Sequence, residues 1–221
     1  MHSKQELRET GTTTIGLVCK DCVILASDTK STLGYMVSSK EIEKIVKIDD
    51  KLALTTAGGV GDTQALIRTI TAEINLYKSM RNAEFTVRAA VTLLSNVLQG
   101  TRYYPYMAML IVGGHDRDGC HIYSIDPMGG SEETSKFTAT GSGSPFAYGV
   151  LESDYKENMS KDEAMRVAAK AIKSSRERDI FSGGKTMMVA IDKNGLEFIS
   201  DEKLKEIENQ AMALAKNVGH R

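Results

Sequence analysis

The chain has 221 residues, of which 41% are hydrophobic and 26% are charged, and its formal net charge is -1 at pH 7. A chain of this length can bury one large core, and this composition is typical of a globular protein rather than a disordered or fibrous one. The balanced charge provides no basic field for nucleic acid or an anionic membrane. No apolar run approaches the roughly 20 residues that span a bilayer, so we expect neither partner.

The first eleven residues are polar and charged. Because they lack an apolar centre, they are not a secretory signal and are better explained as a short removable leader. The chain has three cysteines, an odd number, which argues against a disulfide framework and favours a reducing compartment. We therefore expect a cytoplasmic protein.

The first half of the chain predicts strands, then two helices, then strands again. Segments that are apolar or alternating and rich in Val, Ile and Thr predict strands at 12–19, 22–28, about 35–38, 44–48 and 51–57. Two helices follow, with apolar stripes formed by Leu66, Ile70, Ile74 and Tyr77 and by Val87, Val91, Leu94 and Leu98. Further strands are predicted near 106–113, 120–125 and 134–140, with turn residues at 126–130 between the last two.

The second half predicts another helix pair, two strands and a closing helix. The helices cover 144–155 and 161–178, and Ser160 with Glu163 forms a capping box at the start of the second. Strands at 186–192 and 196–200 are joined by a turn at 193–195, and a helix over 201–216 closes the chain. This order predicts an α+β fold in which helix pairs cover the outer faces of two packed sheets.

The junction between the leader and the first strand could supply a catalytic group. If the bond between Gly11 and Thr12 is cut, Thr12 gains a free α-amine beside its hydroxyl, which makes a complete nucleophile-plus-base unit. The reference pKa of an α-amine is about 7.7–8.0, whereas a lysine amine near 10.4 is mostly protonated at neutral pH. Gly11 lacks a Cβ and suits the tight turn that attack on its own carbonyl requires. Taken alone, the same residues could simply begin a β-strand.

Several motifs follow this junction in a distinctive order. They are Asp28, Lys44, Thr55-Thr-Ala-Gly-Gly-Val-Gly-Asp62, Ala139-Thr-Gly-Ser-Gly-Ser144 and Arg178-Asp-Ile-Phe-Ser-Gly-Gly184. Together with Thr12 they resemble the β-subunits of the 20S proteasome, most of all the archaeal type, from about residue 11 to about residue 202. The resemblance implies the four-layer αββα sandwich of N-terminal-nucleophile hydrolases, with residues 1–11 as a removable propeptide and residues 12–221 as a single domain.

The same resemblance implies a threonine endopeptidase that hydrolyses unfolded polypeptides inside a closed chamber. Thr12 would be the nucleophile after autocatalytic cleavage of the Gly11–Thr12 bond, with Lys44 and Asp28 as its charged partners. Gly58 would supply the oxyanion hydrogen bond. The residues expected around the nucleophile and its amine are Ser142, Asp179 and Ser182.

Each of these residues also has a plain structural interpretation. Lys44 and Asp28 could form an ordinary ion pair, and the Gly- and Ser-rich segments are typical of turns. Gly58 could belong to a strand-to-helix turn, with Asp62 capping the next helix.

The residue before the scissile bond needs a pocket of its own. By resemblance it is lined by Ser31, Ile42, Val46, Thr56 and Val60. This set is mainly apolar and of medium size, without a paired acid or base, and it predicts a preference for hydrophobic residues.

Partners are also implied by the resemblance. Homo-heptameric β rings would stack in pairs between rings of proteasome α-subunits (α7β7β7α7), with an ATPase regulator acting through the α rings. The Tyr- and Met-rich stretch 103–109 could contribute to assembly, although core packing is the commoner use of such residues. No cofactor and no metal ion are implied.

Other functions remain open at this point. The chain could be a latent precursor or a catalytically silent structural ring subunit. It could also be an N-terminal-nucleophile amidohydrolase that acts on small amides, or the bacterial peptidase relative of the proteasome.

Two further features are assigned no metal-binding or catalytic role. Cys19-Lys-Asp-Cys22 has no second ligand pair at zinc-binding spacing, so we expect buried thiols on adjacent strands. His115 and His121 have no acidic partner that the sequence reveals, and we assign them no role.

Overall fold

The computed structural model describes the backbone of residues 11–218 and side chains up to residue 211. The predicted leader therefore lies outside the described residues except for Gly11. The first half contains β1 (Thr14–Val18), β2 (Cys22–Asp28), β3 (Ser31–Leu33), β4 (Met36–Ser39), β5 (Ile45–Asp49), β6 (Leu52–Gly58), α1 (Val60–Arg81) and α2 (Val87–Gly100). The second half contains β7 (Ala108–Asp116), β8 (Gly119–Ile125), β9 (Ser131–Thr134), β10 (Phe137–Thr140), α3 (Ser144–Asp154), α4 (Lys161–Arg178), β11 (Thr186–Asp192), β12 (Gly195–Phe198) and α5 (Asp201–Val218).

The strands form two five-stranded antiparallel sheets and a small hairpin. The first sheet has the order β10-β1-β2-β11-β12, and the second has the order β5-β6-β7-β8-β9. Strand β1 is paired on both sides, because Thr14 pairs with Thr140 of β10 on one side and with Ser27 of β2 on the other. The hairpin β3-β4 stands apart from both sheets.

Three apolar clusters separate four layers. Side chains alternate along β2, so Val23 and Leu25 pack against the second sheet while Ile24 and Ala26 pack against the helices of the first. Helices α3, α4 and α5 cover the outer face of the first sheet, and α1 and α2 cover the outer face of the second. The predicted α+β class and its four-layer sandwich are confirmed.

The prediction of one continuous strand over 134–140 is wrong. The segment 134–140 breaks into β9 and β10, and these two strands belong to different sheets. The break occurs where Thr134 Oγ1 accepts a hydrogen bond from Lys136 N and donates one to Phe137 O, both at 3.3 Å. Neither glycine nor proline marks this break, so the usual signals that end a strand are missing.

The cysteine interpretation is also wrong. Cys19 and Cys22 form a disulfide rather than a pair of thiols. They lie at the two ends of the turn that joins β1 to β2, with their Cα atoms 5.2 Å apart, which is within the range that a disulfide bridges. The odd cysteine, Cys120, is free. Counting cysteines could not reveal that a tight hairpin turn brings two of them together.

Of the two helix caps considered from the sequence, one is confirmed and the other is wrong. The capping box of Ser160 and Glu163 is present at the start of α4. Helix α1 instead begins after Gly59 without a side-chain cap, so the capping role considered for Asp62 is wrong. Asp62 Oδ2 accepts a hydrogen bond of 2.8 Å from Met107 N and so ties α1 to the segment before β7. Within residues 11–218, every helix is too short or too polar to cross a membrane.

Candidate active site

Thr12 lies two residues before β1 and lines a cavity together with residues at the start of α1. Its side chain is buried, and its Oγ1 donates a hydrogen bond of 2.7 Å to the carbonyl oxygen of Gly11. Its main-chain N–H donates to Ser142 Oγ at 3.2 Å. The hydroxyl of Thr12 therefore lies against the carbonyl of the bond that joins it to the leader.

Lys44 and Asp28 meet beside this bond. Lys44 Nζ lies 2.8 Å from Asp28 Oδ1 and donates a longer hydrogen bond of 3.4 Å to Gly11 O. Both residues are buried, at 4% and 0% exposed. Burial lowers the pKa of Lys44, because removing water penalises its charged form more than the Asp28 carboxylate favours it. The lysine is thus closer to its neutral form than a solvent-exposed lysine.

Main-chain donors hold the Asp28 carboxylate in place. Its Oδ1 accepts from Thr13 N at 2.9 Å, and its Oδ2 accepts from Lys30 N at 3.1 Å and Gly183 N at 2.9 Å. Together with Lys44 Nζ, four donors surround this buried carboxylate, which compensates for its lost hydration. Asp28 also connects the start of β1 to the loop before β11.

A second carboxylate, Asp179, organises the other side of Thr12. Its Oδ2 accepts hydrogen bonds of 2.6 Å from both Ser142 Oγ and Ser182 Oγ. Ser142 in turn accepts the N–H of Thr12, and Ser182 Oγ lies 2.7 Å from Thr13 Oγ1. A continuous chain of hydrogen bonds therefore leads from the Thr12 nitrogen to a carboxylate, and a free amine at that nitrogen would be oriented by it.

Gly58 ends β6, on the second sheet, and lines the same cavity as Thr12. Its φ of +124° is accessible in practice only to glycine, and a Cβ there would lie 2.0 Å from Met107 O. The residue type at this position is thus dictated by the backbone, independently of any role in binding a substrate.

A cavity of about 550 Å³ opens next to Thr12 and Lys44. All five residues predicted for the substrate pocket line it, namely Ser31, Ile42, Val46, Thr56 and Val60. The lining also includes charged side chains that the sequence interpretation missed, Glu41, Glu43 and Arg68. Val60, Gln64, Ile67 and Arg68 follow helical spacing on one face of α1, and this periodicity could have identified Arg68.

His121 does have acidic partners, so that sequence interpretation is wrong. Its Nδ1 lies 2.7 Å from Glu133 Oε1, and its Nε2 lies 3.4 Å from Asp116 Oδ1. The pairing of β8 with β9 brings Glu133 alongside, which is invisible in the linear sequence. His121 does not line the cavity at Thr12.

No group of three or more His, Cys, Asp and Glu side chains in the described part of the chain is arranged to hold a metal ion.

Comparisons with known proteins cover most of the chain. Residues 8–191 match the family model described as "Proteasome subunit". The "Proteasome subunit beta" of Methanocaldococcus fervens is 47% identical over 207 residues, which cover 93% of this chain and 92% of that relative. The protein of the same name from Methanococcus maripaludis strain C7 is 48% identical over 195 residues, covering 88% of this chain and 89% of its own length. A third, from Methanocaldococcus jannaschii, is 46% identical over 207 residues, with coverage of 93% and 92%.

Proposed function

The chain belongs to the proteasome subunit family, as a β-subunit of the 20S proteasome, and we propose that it is a threonine endopeptidase with Thr12 as its nucleophile. One observation carries the proposal: the Thr12 hydroxyl lies 2.7 Å from the carbonyl oxygen of its own leader bond, beside the buried Lys44–Asp28 pair. Residues 1–11 are then a removable propeptide, and residues 12–221 form one domain.

Leader removal is the first reaction. The Thr12 oxygen attacks the Gly11 carbonyl carbon, and the bond between that carbon and the Thr12 nitrogen breaks. The hydroxyl proton ends on the departing nitrogen. Water then hydrolyses the resulting ester, releasing the leader as a carboxylate and leaving Thr12 with a free amine and a free hydroxyl.

Before leader removal, the Thr12 nitrogen is an amide and cannot serve as a base. Lys44 suits this task, because its pKa is lowered by burial and its Nζ contacts the scissile carbonyl at 3.4 Å. A neutral Lys44 would accept the hydroxyl proton and, once charged, stabilise the developing oxyanion before passing the proton to the leaving nitrogen. Asp28 would orient the lysine throughout.

Substrate hydrolysis would use the same nucleophile with the freed amine as its base. The Thr12 oxygen attacks a peptide carbonyl, the amine product leaves with a proton, and water hydrolyses the acyl-enzyme ester. Ser142, Asp179 and Ser182 would orient the amine, and the N–H of Gly58 would stabilise the oxyanion. The cavity lined by Ile42, Val46 and Val60 favours a hydrophobic residue before the scissile bond.

As a proteasome β-subunit the chain assembles with other subunits into particles. We propose the arrangement α7β7β7α7, in which homo-heptameric β rings enclose Thr12 and an ATPase regulator feeds unfolded chains through the α rings. The main alternative is a subunit that stays latent because its leader is never removed.

Intact mass spectrometry after co-expression with a proteasome α-subunit tests the proposal. We expect the assembled wild-type chain to lose residues 1–11 and to hydrolyse peptides. Thr12→Ala removes the nucleophile, so it should retain the leader and show no peptidase activity, while Thr12→Ser, which keeps a hydroxyl, should retain part of both.

Full-length wild-type mass in assembled particles would support the latent alternative. Normal processing and turnover by Thr12→Ala would refute the mechanism.

A further inference from the structure

The last residue of the leader is packed against a loop on the far side of Thr12. A Cβ built on Gly11 would lie 1.6 Å from Phe181 Cβ and 2.7 Å from Phe181 Cα. Real Cβ atoms essentially never approach another heavy atom more closely than 3.0 Å. Rotating the aromatic ring cannot relieve this conflict, because neither of the two atoms moves when the ring turns.

Gly11 cannot easily turn away from the loop. Its N–H donates to Thr32 Oγ1 at 3.3 Å, and its carbonyl oxygen accepts from Thr12 Oγ1 and Lys44 Nζ. A rotation large enough to redirect a Cβ would sacrifice the hydrogen bonds that hold the scissile carbonyl against the nucleophile. The conflict therefore concerns the conformation in which leader removal is possible.

The loop that carries Phe181 is also held by hydrogen bonds. Phe181 N donates to Asp179 Oδ1 at 3.2 Å, and the carbonyl of Ile180 accepts a hydrogen bond of 2.6 Å from Lys30 Nζ. Ser182, the next residue, is buried and donates to Asp179 Oδ2. Moving Phe181 would disturb the same carboxylate that organises the Thr12 nitrogen.

We propose that Phe181, through its main chain and Cβ, is the specificity determinant of leader removal and restricts residue 11 to glycine. The inference rests on the proposed function, since it concerns self-cleavage by Thr12. Phe181 does not line the cavity beside Thr12, so a side chain on residue 11 would point at the loop and not into the pocket. A substrate whose side chain enters the cavity must therefore present its carbonyl in a main-chain conformation different from that of Gly11.

The test combines Gly11→Ala with two substitutions at Phe181 and follows leader removal by intact mass over time. Phe181→Gly removes the Cβ, so that only the main chain of residue 181 remains close to residue 11 and a small shift relieves the overlap. Phe181→Ala removes the ring but keeps the Cβ, and so provides a matched control. We expect Gly11→Ala to slow leader removal by up to roughly 10²-fold, the cost of a misplaced reacting group. Phe181→Gly should restore most of the lost rate, and Phe181→Ala should not.

Three outcomes would overturn the inference. They are wild-type processing of Gly11→Ala, no rescue by a Phe181→Gly background that itself processes normally, and equal rescue by Phe181→Ala. Each leaves the proposed function intact, because wild-type leader removal is measured beside them.

A second measurement does not depend on catalysis. In the Thr12→Ala background, where every precursor keeps its leader, Gly11→Ala should lower the melting temperature and Phe181→Gly should cancel part of that loss. Additive effects of the two substitutions would mean that residues 11 and 181 are not coupled, and would also overturn the inference. This cycle decides the question even if Phe181→Gly alone fails to process its leader.

Discussion

At the scale of single residues, Lys44 is under two opposing influences. Burial lowers its pKa and the neighbouring Asp28 raises it, and burial has the larger effect. A lysine needs to lose its proton before it can accept another, so a lowered pKa makes it a better base near neutral pH. Arginine cannot play this part, because its guanidinium stays protonated in proteins.

Lys44→Arg separates the role of a base from that of a positive charge. The variant keeps a cation beside Asp28 but offers no proton acceptor, so we expect leader removal to slow by about 10²–10⁴-fold, the usual contribution of a general base. The rate is measured by intact mass in the α-subunit complex. Lys47→Arg is the matched control, because Lys47 is exposed and its ion pair within the described residues is with Asp50 at 2.8 Å. A Lys44→Arg variant that processes like wild type would show that charge alone suffices.

The wild-type chain should also show a defined pH dependence. The neutral form of Lys44 increases as pH rises through its pKa, so the rate of leader removal should rise with pH. Because that pKa is lowered, the midpoint of the rise should lie below the ordinary lysine value of 10.5. A rate that falls as pH increases over this range would contradict Lys44 as the base.

The sequence could identify the candidate site only through its motif order. Thr12 and Ser142 are 130 residues apart, and Thr13 and Ser182 are 169 apart, so no local pattern predicts that they meet. Phe181 stands inside one of the motifs, yet its proximity to Gly11 is a main-chain relation that residue types do not reveal. Arg68 was missed because it lies outside every motif, six residues beyond the one that ends at Asp62.

At the scale of strands, a pair of buried hydroxyls joins the two sheets behind the site. Thr55 Oγ1 on β6 donates a hydrogen bond of 3.0 Å to Thr14 Oγ1 on β1. Thr14 Oγ1 also lies 2.7 Å from Thr140 Oγ1 on β10. Thr14 and Thr55 are both fully buried. Gly58 is only three residues beyond Thr55, and Thr12 only two before Thr14. The hydroxyl bond therefore helps to set the distance between the proposed nucleophile and the proposed oxyanion donor.

Thr55→Val tests this link at nearly constant volume. Losing the hydrogen bond should lower the free energy of unfolding by about 0.5–1.5 kcal/mol, measured by urea denaturation. We also expect kcat to fall more than KM changes, because the shift affects reacting groups rather than the pocket. Thr55→Ser keeps the hydroxyl and should restore kcat.

Thr92→Val is a suitable control, since Thr92 is exposed and its hydroxyl donates a hydrogen bond to Arg88 O in its own helix. A destabilised Thr55→Val enzyme with unchanged kcat would assign the hydroxyl a purely structural role.

Elements with strong local signals were predicted well. Helix α4 spans Lys161–Arg178 as predicted, because the capping box fixes its start and regularly spaced apolar residues define its inner face. The failures occurred where side chains or distant pairing decide the backbone. Examples are the break after Thr134, the disulfide at the β1–β2 turn and the short strand β3, which forms only by pairing with β4.

At the scale of the whole molecule, the sheet order could not be read from local patterns. Strand β1 pairs with β10, which follows the whole second sheet in the chain, and strand β11 returns later to pair with β2. A near-continuous hydrophobic run such as that of β2 indicates burial on both faces of the strand, but it does not show which strands are its neighbours. The resemblance to proteasome β-subunits supplied the four-layer arrangement but no strand order, while the residues themselves supplied the α+β class.

The hairpin β3-β4 exposes large apolar side chains, which is unfavourable in an isolated subunit. Leu33, Tyr35, Met36 and Val37 are 53%, 94%, 73% and 47% exposed. Contiguous apolar surface of this kind is typical of an interface between proteins. A proteasome β-subunit assembles with other subunits, so we expect the hairpin to be covered in the particle.

Replacing both Tyr35 and Met36 with Glu should separate assembly from folding. Both side chains are largely exposed, so the substitutions should change the stability of the isolated subunit by no more than about 0.5 kcal/mol. In the particle the same carboxylates would be buried without partners, which is costly, so assembly with α-subunits should fail. Size-exclusion chromatography of the co-expressed subunits measures this, with Lys193→Glu on the exposed β11–β12 turn as the charge-matched control, because replacing a lysine by a glutamate also adds two negative charges. If the double variant assembles normally, the hairpin stays in solvent within the particle and the interface lies elsewhere.

If it does not assemble but keeps the melting temperature of the isolated wild-type subunit, leader retention in the same sample would show that self-cleavage depends on contacts made only in the particle.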